Sequence, residues 1–430
     1  MTSDQPKNIV VCCDGTGNKL DVSRTNVVRF FWALDCRNPD EQVAYYHPGV
    51  GTMPAKAALW FVSRWLTRMA GLAVGYGTLE NVADAYGFIV EQYRPGDRIY
   101  LVGFSRGALT VRLIGGLLHR MGVLRPDAIS LVPYALELYE QHLTLISDKD
   151  KRCQARAVIE EFRKTFSFDG SVCIRFLGAW DTVKSFGVLT PKSFPHMRHN
   201  PSVRTVRHAI ALDERRRFFD FTSWGGLRDF IEAGPPENQK VKEVWFAGDH
   251  ADIGGGHLEN ESGLSWYSFR WMVGEARCVK VKFDEDKLEM MYNAMETRSA
   301  CKCFFKRHKM GRWYRLFDPL ATHLPFPDLV NSPPRARHAS EHLQEDLSVP
   351  LGWPKRSCLP KSGNRHPDAC RRNDAGGALL LHRSVQQFVV NGKYKTVSGR
   401  ELKLGDVSYV DDRKPCRCVG ERCERDDVSL

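Results

Sequence analysis

A serine between two glycines, in Gly103-Phe-Ser-Arg-Gly107, has the surroundings expected of a catalytic nucleophile. The apolar run Ile99-Tyr-Leu-Val-Gly103 precedes it, and an Ala- and Leu-rich stretch from Gly107 to His119 follows. This pattern predicts a strand, a sharp turn and a helix, with the hydroxyl of Ser105 exposed in the turn. Glycine on both sides lets the backbone turn without a collision with neighbouring elements. The alternative interpretation is that Ser105 only caps the helix.

Two later strand ends offer the acid and the base that would activate Ser105. When a serine lies in such a turn, the acid and then the histidine follow it in chain order. Asp181 comes directly after the apolar run Cys173–Trp180, and His250 follows Val244–Ala247 in a glycine-rich loop. We predict that His250 takes the Ser105 proton and returns it to the leaving group, while Asp181 orients the imidazole.

Other polar residues compete for these roles. Asp249 and Asp252 are so close to His250 in sequence that neither is expected to face its ring. Asp252 is instead predicted to support the glycine-rich loop by accepting hydrogen bonds from backbone amides. His208 and His257 are reserve candidates for the base.

Backbone amides in two places are predicted to form an oxyanion hole. The N–H of Arg106 lies at the start of the predicted helix, where the helix dipole favours negative charge. The second donor is expected from Gly15 or Thr16, which follow the first strand, with Asp14 or Asn18 bracing the loop. A plain Asp-Gly turn is the competing explanation, and a phosphate cradle is disfavoured because no Gly-Lys-Ser/Thr follows.

The first 280 residues alternate between strand and helix patterns, which predicts a largely parallel sheet covered by helices. A helix is predicted from Leu79 to Tyr93, where apolar residues recur every three or four positions, and Arg94-Pro-Gly-Asp97 should stop it. The predicted strands are Asn8–Cys13, Arg98–Phe104, Val172–Ala179 and Val241–Ala247.

Several motifs together resemble the catalytic domain of a known family. They are Asn8-Ile-Val-Val-Cys-Cys-Asp-Gly-Thr-Gly-Asn18, Tyr46-His-Pro-Gly-Val-Gly-Thr52, Gly103-Phe-Ser-Arg-Gly-Ala108, Trp180-Asp-Thr-Val183, Ala211-Leu-Asp-Glu-Arg-Arg216 and His250-Ala-Asp-Ile-Gly-Gly-Gly256. This set, within residues 8–275, is similar to α/β hydrolases of bacteria and fungi that include phospholipase effectors of the type VI secretion system. His382-Arg-Ser-Val385 resembles a late element of the same family.

The resemblance implies an α/β-hydrolase fold, with a mostly parallel central sheet flanked by helices, insertions and a C-terminal extension. It implies a triad that falls on Ser105, Asp181 and His250, and an ester bond of a lipid, often a glycerophospholipid, as substrate. Gly17 stands where the family has tryptophan, and the long membrane-binding C-terminal module of the effectors is not evident.

The chain is expected to divide into three parts. Residues 8–290 form the catalytic domain, residues 291–410 form a family-associated C-terminal part with an irregular insertion near 335–377, and residues 411–430 form a disordered tail. The stretch from Ala57 to Gly77, which contains Arg64 and Arg68, is either an amphipathic segment for a membrane surface or a helix packed on the core.

Composition limits the partners. The 430 residues carry a net charge of +11, which favours anionic surfaces such as phospholipid headgroups or nucleic acid, and the sign of the charge does not choose between them. Because the resemblance implies a lipid substrate, peripheral contact with an anionic membrane is expected and nucleic-acid binding is not. The 13 cysteines are predicted to be free thiols in a reducing compartment. The pairs Cys301/Cys303 and Cys416/Cys418, with Cys423, lack zinc-finger spacing, so neither metal nor organic cofactor is expected.

The N-terminus leaves no room for a signal peptide before the first strand, which favours a cytoplasmic location, with leaderless export as an alternative. The sequence therefore predicts a hydrolase that cleaves a lipid or phospholipid ester through acyl-Ser105. The alternatives are an esterase, thioesterase or acyltransferase for a soluble substrate, and a non-catalytic binding protein with the same fold.

Overall fold

A parallel β-sheet runs through the centre of the protein. The computed structural model describes residues 5–15, 24–49, 73–144, 149–183, 197, 199–214, 224, 239–299, 304–308, 379–390, 393–395, 401–403, 407–410, 417–419 and 422–424. Its strands are β1 (Asn8–Cys13), β2 (Gln42–His47), β3 (Arg98–Phe104), β4 (Ile174–Trp180), β5 (Thr205–Ala211), β6 (Lys240–Phe246), β7 (Leu379–His382), β8 (Val389–Val390), β9 (Lys393–Lys395), β10 (Glu401–Lys403), β11 (Val407–Val410), β12 (Arg417–Val419) and β13 (Arg422–Glu424).

Eight of these strands form the main sheet, in the order β11-β7-β6-β5-β4-β3-β1-β2. All neighbouring pairs in it are parallel. Strands β8 to β10 form a separate antiparallel sheet, and β12 and β13 pair with each other. A parallel sheet must be covered on both faces, which explains why β1, β3 and β4 read as continuous apolar runs.

Helices cover both faces of the main sheet. They are α1 (Asn26–Trp32), α2 (Ala73–Gln92), α3 (Arg106–Met121), α4 (Val132–Thr144), α5 (Lys149–Phe166), α6 (His250–Gly254), α7 (Gly263–Cys278) and α8 (Glu285–Ser299). Ile9 and Val11 of β1 pack in one core cluster with α2, α3 and α4. Val10 and Cys12 point the other way, into a second cluster with α1, α7 and α8. The predicted α/β architecture is confirmed.

The direction of the strand order reverses at β1. The chain runs from β1 to β2 on one side and then crosses to β3 on the other side of β1. Ligands of open parallel sheets bind outside the carboxyl ends of the strands at such a point of reversal. Asp14 and Ser105 directly follow β1 and β3, so they lie at this point.

Predicted and observed elements agree best where a strand is a nearly continuous apolar run. Strands β1 and β3 have the predicted bounds, whereas β4 and β6 begin and end one or two residues from the predicted positions. The predicted helices correspond to α2 and α3. Strands β2 and β5 were not predicted, and β5 lies between the strands that precede Asp181 and His250.

The C-terminal part contributes to the same sheet as the catalytic domain. Strand β7 pairs with β6 through Trp245 and Leu381, and β11 extends the sheet beyond β7. The ring of His382, in the late family element, stacks on Phe246 with centroids 4.5 Å apart. Within the predicted disordered tail, β12 and β13 form a short antiparallel pair.

Two sequence features lie largely outside the described residues. The insertion predicted near 335–377 is one, and the stretch from Ala57 to Gly77 is the other, apart from its last residues in α2. Of the helices in the described part of the chain, none is both long enough and apolar enough to cross a membrane.

Candidate active site

Ser105 occupies a strained turn between β3 and α3. Its backbone has φ 57° and ψ −121°, a conformation that residues other than glycine seldom adopt. A Cβ atom on Gly107 would lie 2.0 Å from the carbonyl oxygen of Cys13, and one on Gly103 would lie 2.4 Å from the carbonyl oxygen of Gly107. Both positions therefore require glycine, as the sequence predicted. The Ser105 side chain makes no capping hydrogen bond to α3, which disfavours the helix-cap alternative.

Asp181 lies beside Ser105 because their strands are neighbours. Phe104 of β3 pairs with Trp180 of β4, so the residue after each strand emerges at the same edge. The Ser105 N–H donates to the Trp180 carbonyl at 3.0 Å, which links the two turns. The carboxylate of Asp181 is buried, and its Oδ1 accepts the N–H of Ala211 at 3.0 Å.

His250 reaches the same edge from β6 by way of a short helix. It is the first residue of α6, and its Nδ1 lies 2.7 Å from Oδ2 of Asp181. Because an ionised carboxylate only accepts, Nδ1 carries the proton of this hydrogen bond. In the neutral ring Nε2 is then the unprotonated nitrogen, which is the atom a general base needs.

Contacts on two sides hold the ring and backbone of His250. The ring lies against the ring of Phe104, with centroids 4.6 Å apart, and its backbone N–H donates to Oε2 of Glu214 at 3.3 Å. A Cβ atom on Gly254 would lie 1.9 Å from the Phe104 ring, so glycine there makes room for this ring. Phe104 thus packs His250 against the strand that ends at Ser105.

The predicted oxyanion donors differ in their surroundings. Arg106 is the first residue of α3, and the first N–H groups of a helix have no partner within the helix. Burial lowers the pKa of the Arg106 side chain to about 10, so it remains protonated at neutral pH. The Gly15 N–H already donates to Oδ1 of Asp14 at 2.6 Å, so the expectation of an open donor at this position does not match the structure. Thr16 and Asn18 lie outside the described residues.

Asp14 makes several hydrogen bonds in the loop after β1. Besides the Gly15 amide, its carboxylate accepts the Thr25 hydroxyl at 2.6 Å and the Tyr46 hydroxyl at 3.0 Å. Burial and the nearby Asp14 raise the pKa of Tyr46 well above its usual range, so the phenol remains a donor. A Cβ atom on Gly49 would lie 1.8 Å from the Gly15 carbonyl oxygen, which shows how closely the two loops approach.

His208 is a buried support rather than an available base. Its Nε2 accepts the N–H of Thr182 at 3.2 Å, and its Nδ1 lies 3.1 Å from Oε1 of Glu243. Burial lowers the pKa of His208, which favours the neutral ring that this pattern requires. Since Thr182 follows Asp181, His208 holds the backbone directly after the acid.

Asp252 lies in the first turn of α6, and His257 lies in the loop that follows this helix. Asp252 accepts the backbone N–H of Asp249 at 3.1 Å, within the glycine-rich loop, and that of His308 at 3.0 Å, outside it. His257 Nε2 faces the carboxylates of Asp249 and Asp252. Reasoning from the sequence missed His308, Glu214 and Glu243; of these, only Glu214 lies in a motif that was singled out.

The parallel sheet and the strained serine turn place the chain in the α/β-hydrolase class. Residues 7–275 match the model of the family described as type VI secretion system phospholipase effector Tle1-like, catalytic domain, and the chain belongs to this family. An uncharacterized protein of Saccharomyces cerevisiae is 34% identical over 223 residues, which cover 50% of this chain and 32% of that protein.

Solved structures of similar proteins are more distant. A crystal structure of an uncharacterized protein from Pseudomonas aeruginosa has 17% sequence identity and a TM-score of 0.38, over 79% of this chain and 58% of that one. A Tle1 effector bound to the VgrG spike of the type VI secretion system has 17% identity and a TM-score of 0.30, over 60% of this chain and 52% of that one. The chain thus spans about a third of the yeast relative's length and little more than half of each solved chain.

Proposed function

We propose that this protein is a serine hydrolase that cleaves a carboxylic ester of a lipid or phospholipid. The observation that carries the proposal is the 2.7 Å hydrogen bond between His250 and Asp181, at the strand edge where Ser105 occupies its strained turn. These are the three residue types of a nucleophile, a base and an orienting acid, and they follow in the chain order typical of this fold.

The chemistry proceeds in two displacements. In the first, Ser105 Oγ bonds to the ester carbonyl carbon as His250 Nε2 takes the hydroxyl proton, and the tetrahedral oxyanion forms. The ester C–O bond then breaks, and His250 gives the proton to the departing alcohol. In the second, His250 takes a proton from water and the water oxygen attacks the acyl carbon. The bond from that carbon to Ser105 Oγ then breaks, His250 returns the proton to Oγ, and the acid product leaves.

Asp181 and the start of α3 stabilise the charges that develop. The buried Asp181 carboxylate favours the imidazolium form of His250 during each displacement. The Arg106 N–H at the helix start is the donor we assign to the oxyanion, where preorganised donors typically contribute about 3 to 4 kcal/mol. The Gly15 N–H serves as a second donor only if its bond to Asp14 opens.

A lipid ester is the substrate that the family favours. The family description names phospholipase effectors, which supports hydrolysis of lipid esters. We also propose that the protein binds peripherally to an anionic bilayer while it hydrolyses the lipid. The net charge of +11 supports this binding.

A lipid-panel hydrolysis assay tests the proposal. Purified protein is incubated with vesicles of phosphatidylcholine, with or without phosphatidylglycerol, and with short esters in solution, and released fatty acid is measured. We expect release from vesicles that increases with anionic lipid and is lost in Ser105→Ala. Ser299→Ala, at the C-terminal end of α8, is the matched control and should behave as the unaltered protein.

Other outcomes identify the alternatives. Turnover of soluble esters or thioesters with no rate increase on vesicles would indicate that the substrate is a soluble ester or thioester and not a lipid. Undiminished release by Ser105→Ala would contradict the serine mechanism, and no turnover of any ester would favour a binding protein with this fold.

A further inference from the structure

Four side chains from two separate segments converge beside the helix that carries His250. Asp249 caps the N-terminus of α6, Asp252 lies in its first turn, and His257 follows in the next loop. His308 comes from the segment 304–308 and donates its backbone N–H to Asp252. Ligand atoms of Asp252, His257 and His308 all lie within 4.8 Å of one another.

His257 is the unusual member of this cluster. Its Nε2 is buried and makes no hydrogen bond within the described part of the chain, although it faces two carboxylates. It lies 3.5 Å from Oδ1 of Asp249 and 3.7 Å from Oδ1 of Asp252. A tetrahedral zinc ion with ligands at about 2.0 to 2.2 Å separates those ligands by roughly 3.3 to 3.6 Å. The 3.5 Å separation falls within this range and the 3.7 Å separation lies just above it, whereas both exceed the usual length of an N–H···O hydrogen bond.

His308 shows the second feature of a metal site. Its Nδ1 points at Oδ1 of Asp252, 2.7 Å away, and its Nε2 lies 3.0 Å from Oε2 of Glu261. Histidine that binds a metal through one ring nitrogen usually donates its other N–H to a carboxylate, which fixes the ring orientation. Glu261 is in the position to accept that bond. The rings of His257 and His308 also stack, with centroids 3.6 Å apart, and both face the carboxylate of Asp252.

We propose that Asp249, Asp252, His257 and His308 bind a divalent transition-metal ion, with Zn²⁺ as the best match. Two imidazole nitrogens and two carboxylate oxygens are a ligand set that suits zinc. Nε2 of His257, Nδ1 of His308, Oδ1 of Asp252 and Oδ2 of Asp249 are the ligands. Oδ1 of Asp249 already accepts the backbone N–H groups of Ala251 and Asp252, so it remains with the helix cap. The metal replaces the proton that His308 and Asp252 share, and the 2.7 Å contact opens to the spacing of two ligands.

The site has a positioning role for the proposed base. Asp249 and Asp252 flank His250 in the sequence and belong to the capping box of α6. A metal that also binds His308 ties the segment 304–308 to this helix, and so restrains the backbone from which His250 reaches Asp181. The ligands come from distant parts of the chain and include no cysteine, which is why the spacing of the cysteine pairs does not indicate this site.

Metal titration of the full-length protein tests the proposal without reference to activity. Protein freed of metal with a chelator is titrated with Zn²⁺ by calorimetry, and with Co²⁺ while its absorption spectrum is recorded. The variants are His257→Ala and Asp249→Asn, because asparagine keeps the helix cap and removes the charged ligand. His119→Gln, on α3 and remote from the cluster, is the control, and circular dichroism verifies that each variant is folded.

We expect one Zn²⁺ site that is weakened about 100-fold or more in His257→Ala, weakened also in Asp249→Asn, and unchanged in His119→Gln. The Co²⁺ spectrum of the unaltered protein minus that of His257→Ala should show tetrahedral bands without thiolate charge transfer. Equal Zn²⁺ titrations of the unaltered protein and folded His257→Ala would overturn the proposal. A thiolate band in the difference spectrum would overturn it as well, since it would assign the ion to cysteines.

Discussion

His250 Nδ1 lies 2.7 Å from Asp181 Oδ2, although 69 residues separate the two in the chain. Each follows a strand of the same parallel sheet, and only β5 lies between those strands. Asp181 is further fixed by the Ala211 amide at the end of β5, so the intervening strand also orients the acid.

Replacing Asp181 by asparagine should nearly abolish ester turnover. An amide can donate to Nδ1 of His250 and so favour the wrong tautomer, as in serine proteases, where such a change lowers kcat about 10⁴-fold. Steady-state hydrolysis of a short ester measures the effect. Asp127→Asn, an exposed residue in the turn before α4, is the matched control and should retain full activity.

The two buried histidines should respond differently to replacement by glutamine. His250→Gln removes the proposed base, so labelling by a fluorophosphonate probe should fall by a factor of about 10² to 10⁴. His208→Gln removes only a support of Thr182, and labelling should be slower but still measurable. The rate of probe incorporation measures both, and loss of labelling in His208→Gln with retention in His250→Gln would reverse these roles.

Gly254→Ala should disturb the packing of His250. The added Cβ would lie 1.9 Å from the Phe104 ring, and overpacking of this kind typically costs about 1 to 3 kcal/mol of unfolding free energy. Because Phe104 contacts the His250 ring, kcat should fall as well. Urea unfolding and ester hydrolysis measure the two effects.

The same substitution in α2 provides the control. A Cβ on Gly87 would meet no atom within 4 Å, so Gly87→Ala should leave kcat unchanged. It should stabilise the protein by about 0.5 to 1 kcal/mol, since alanine loses less conformational entropy in a helix. A Gly254→Ala protein as active and as stable as Gly87→Ala would refute the packing argument.

His119 makes stability depend on pH below neutrality. Burial, followed by the nearby charges of Arg120 and Arg163, lowers the pKa of His119 to about 4, whereas an unfolded histidine titrates near 6.5. Between these values the unfolded chain binds more protons than the folded one, so the free energy of unfolding falls as the pH falls from about 6.5 to 4. His119→Gln should reduce this slope. Denaturant unfolding at a series of pH values measures it, and an equal slope in the variant would contradict the assignment.

The parts of the site that the sequence predicted all follow continuous apolar strands. Ser105 and Asp181 directly follow β3 and β4, and His250 follows β6, so the local pattern placed all three at strand ends of one sheet, while their catalytic roles stay predictions. Strand β5 was not predicted because Arg207 and His208 interrupt its apolar residues. Only the fold shows that these two side chains are buried against Glu275 and Glu243.

Contacts between distant segments account for the remaining differences. No local pattern shows that Asp14 turns its carboxylate toward the Gly15 amide while it accepts bonds from Thr25 and Tyr46. The sequence also does not indicate the contact between His308 and Asp252, because the two are 56 residues apart and meet only in the folded chain.

The central claim is that Ser105 is the nucleophile, and mapping of a covalent adduct tests it most directly. The protein is treated with a fluorophosphonate, which forms a phosphonyl ester with an activated serine and releases fluoride, and is then digested with trypsin and analysed by mass spectrometry. We predict one adduct per chain, on Ser105 in the peptide Ile99–Arg106, and none in Ser105→Ala or His250→Ala. A stoichiometric adduct on another serine that persists in Ser105→Ala would contradict the assignment.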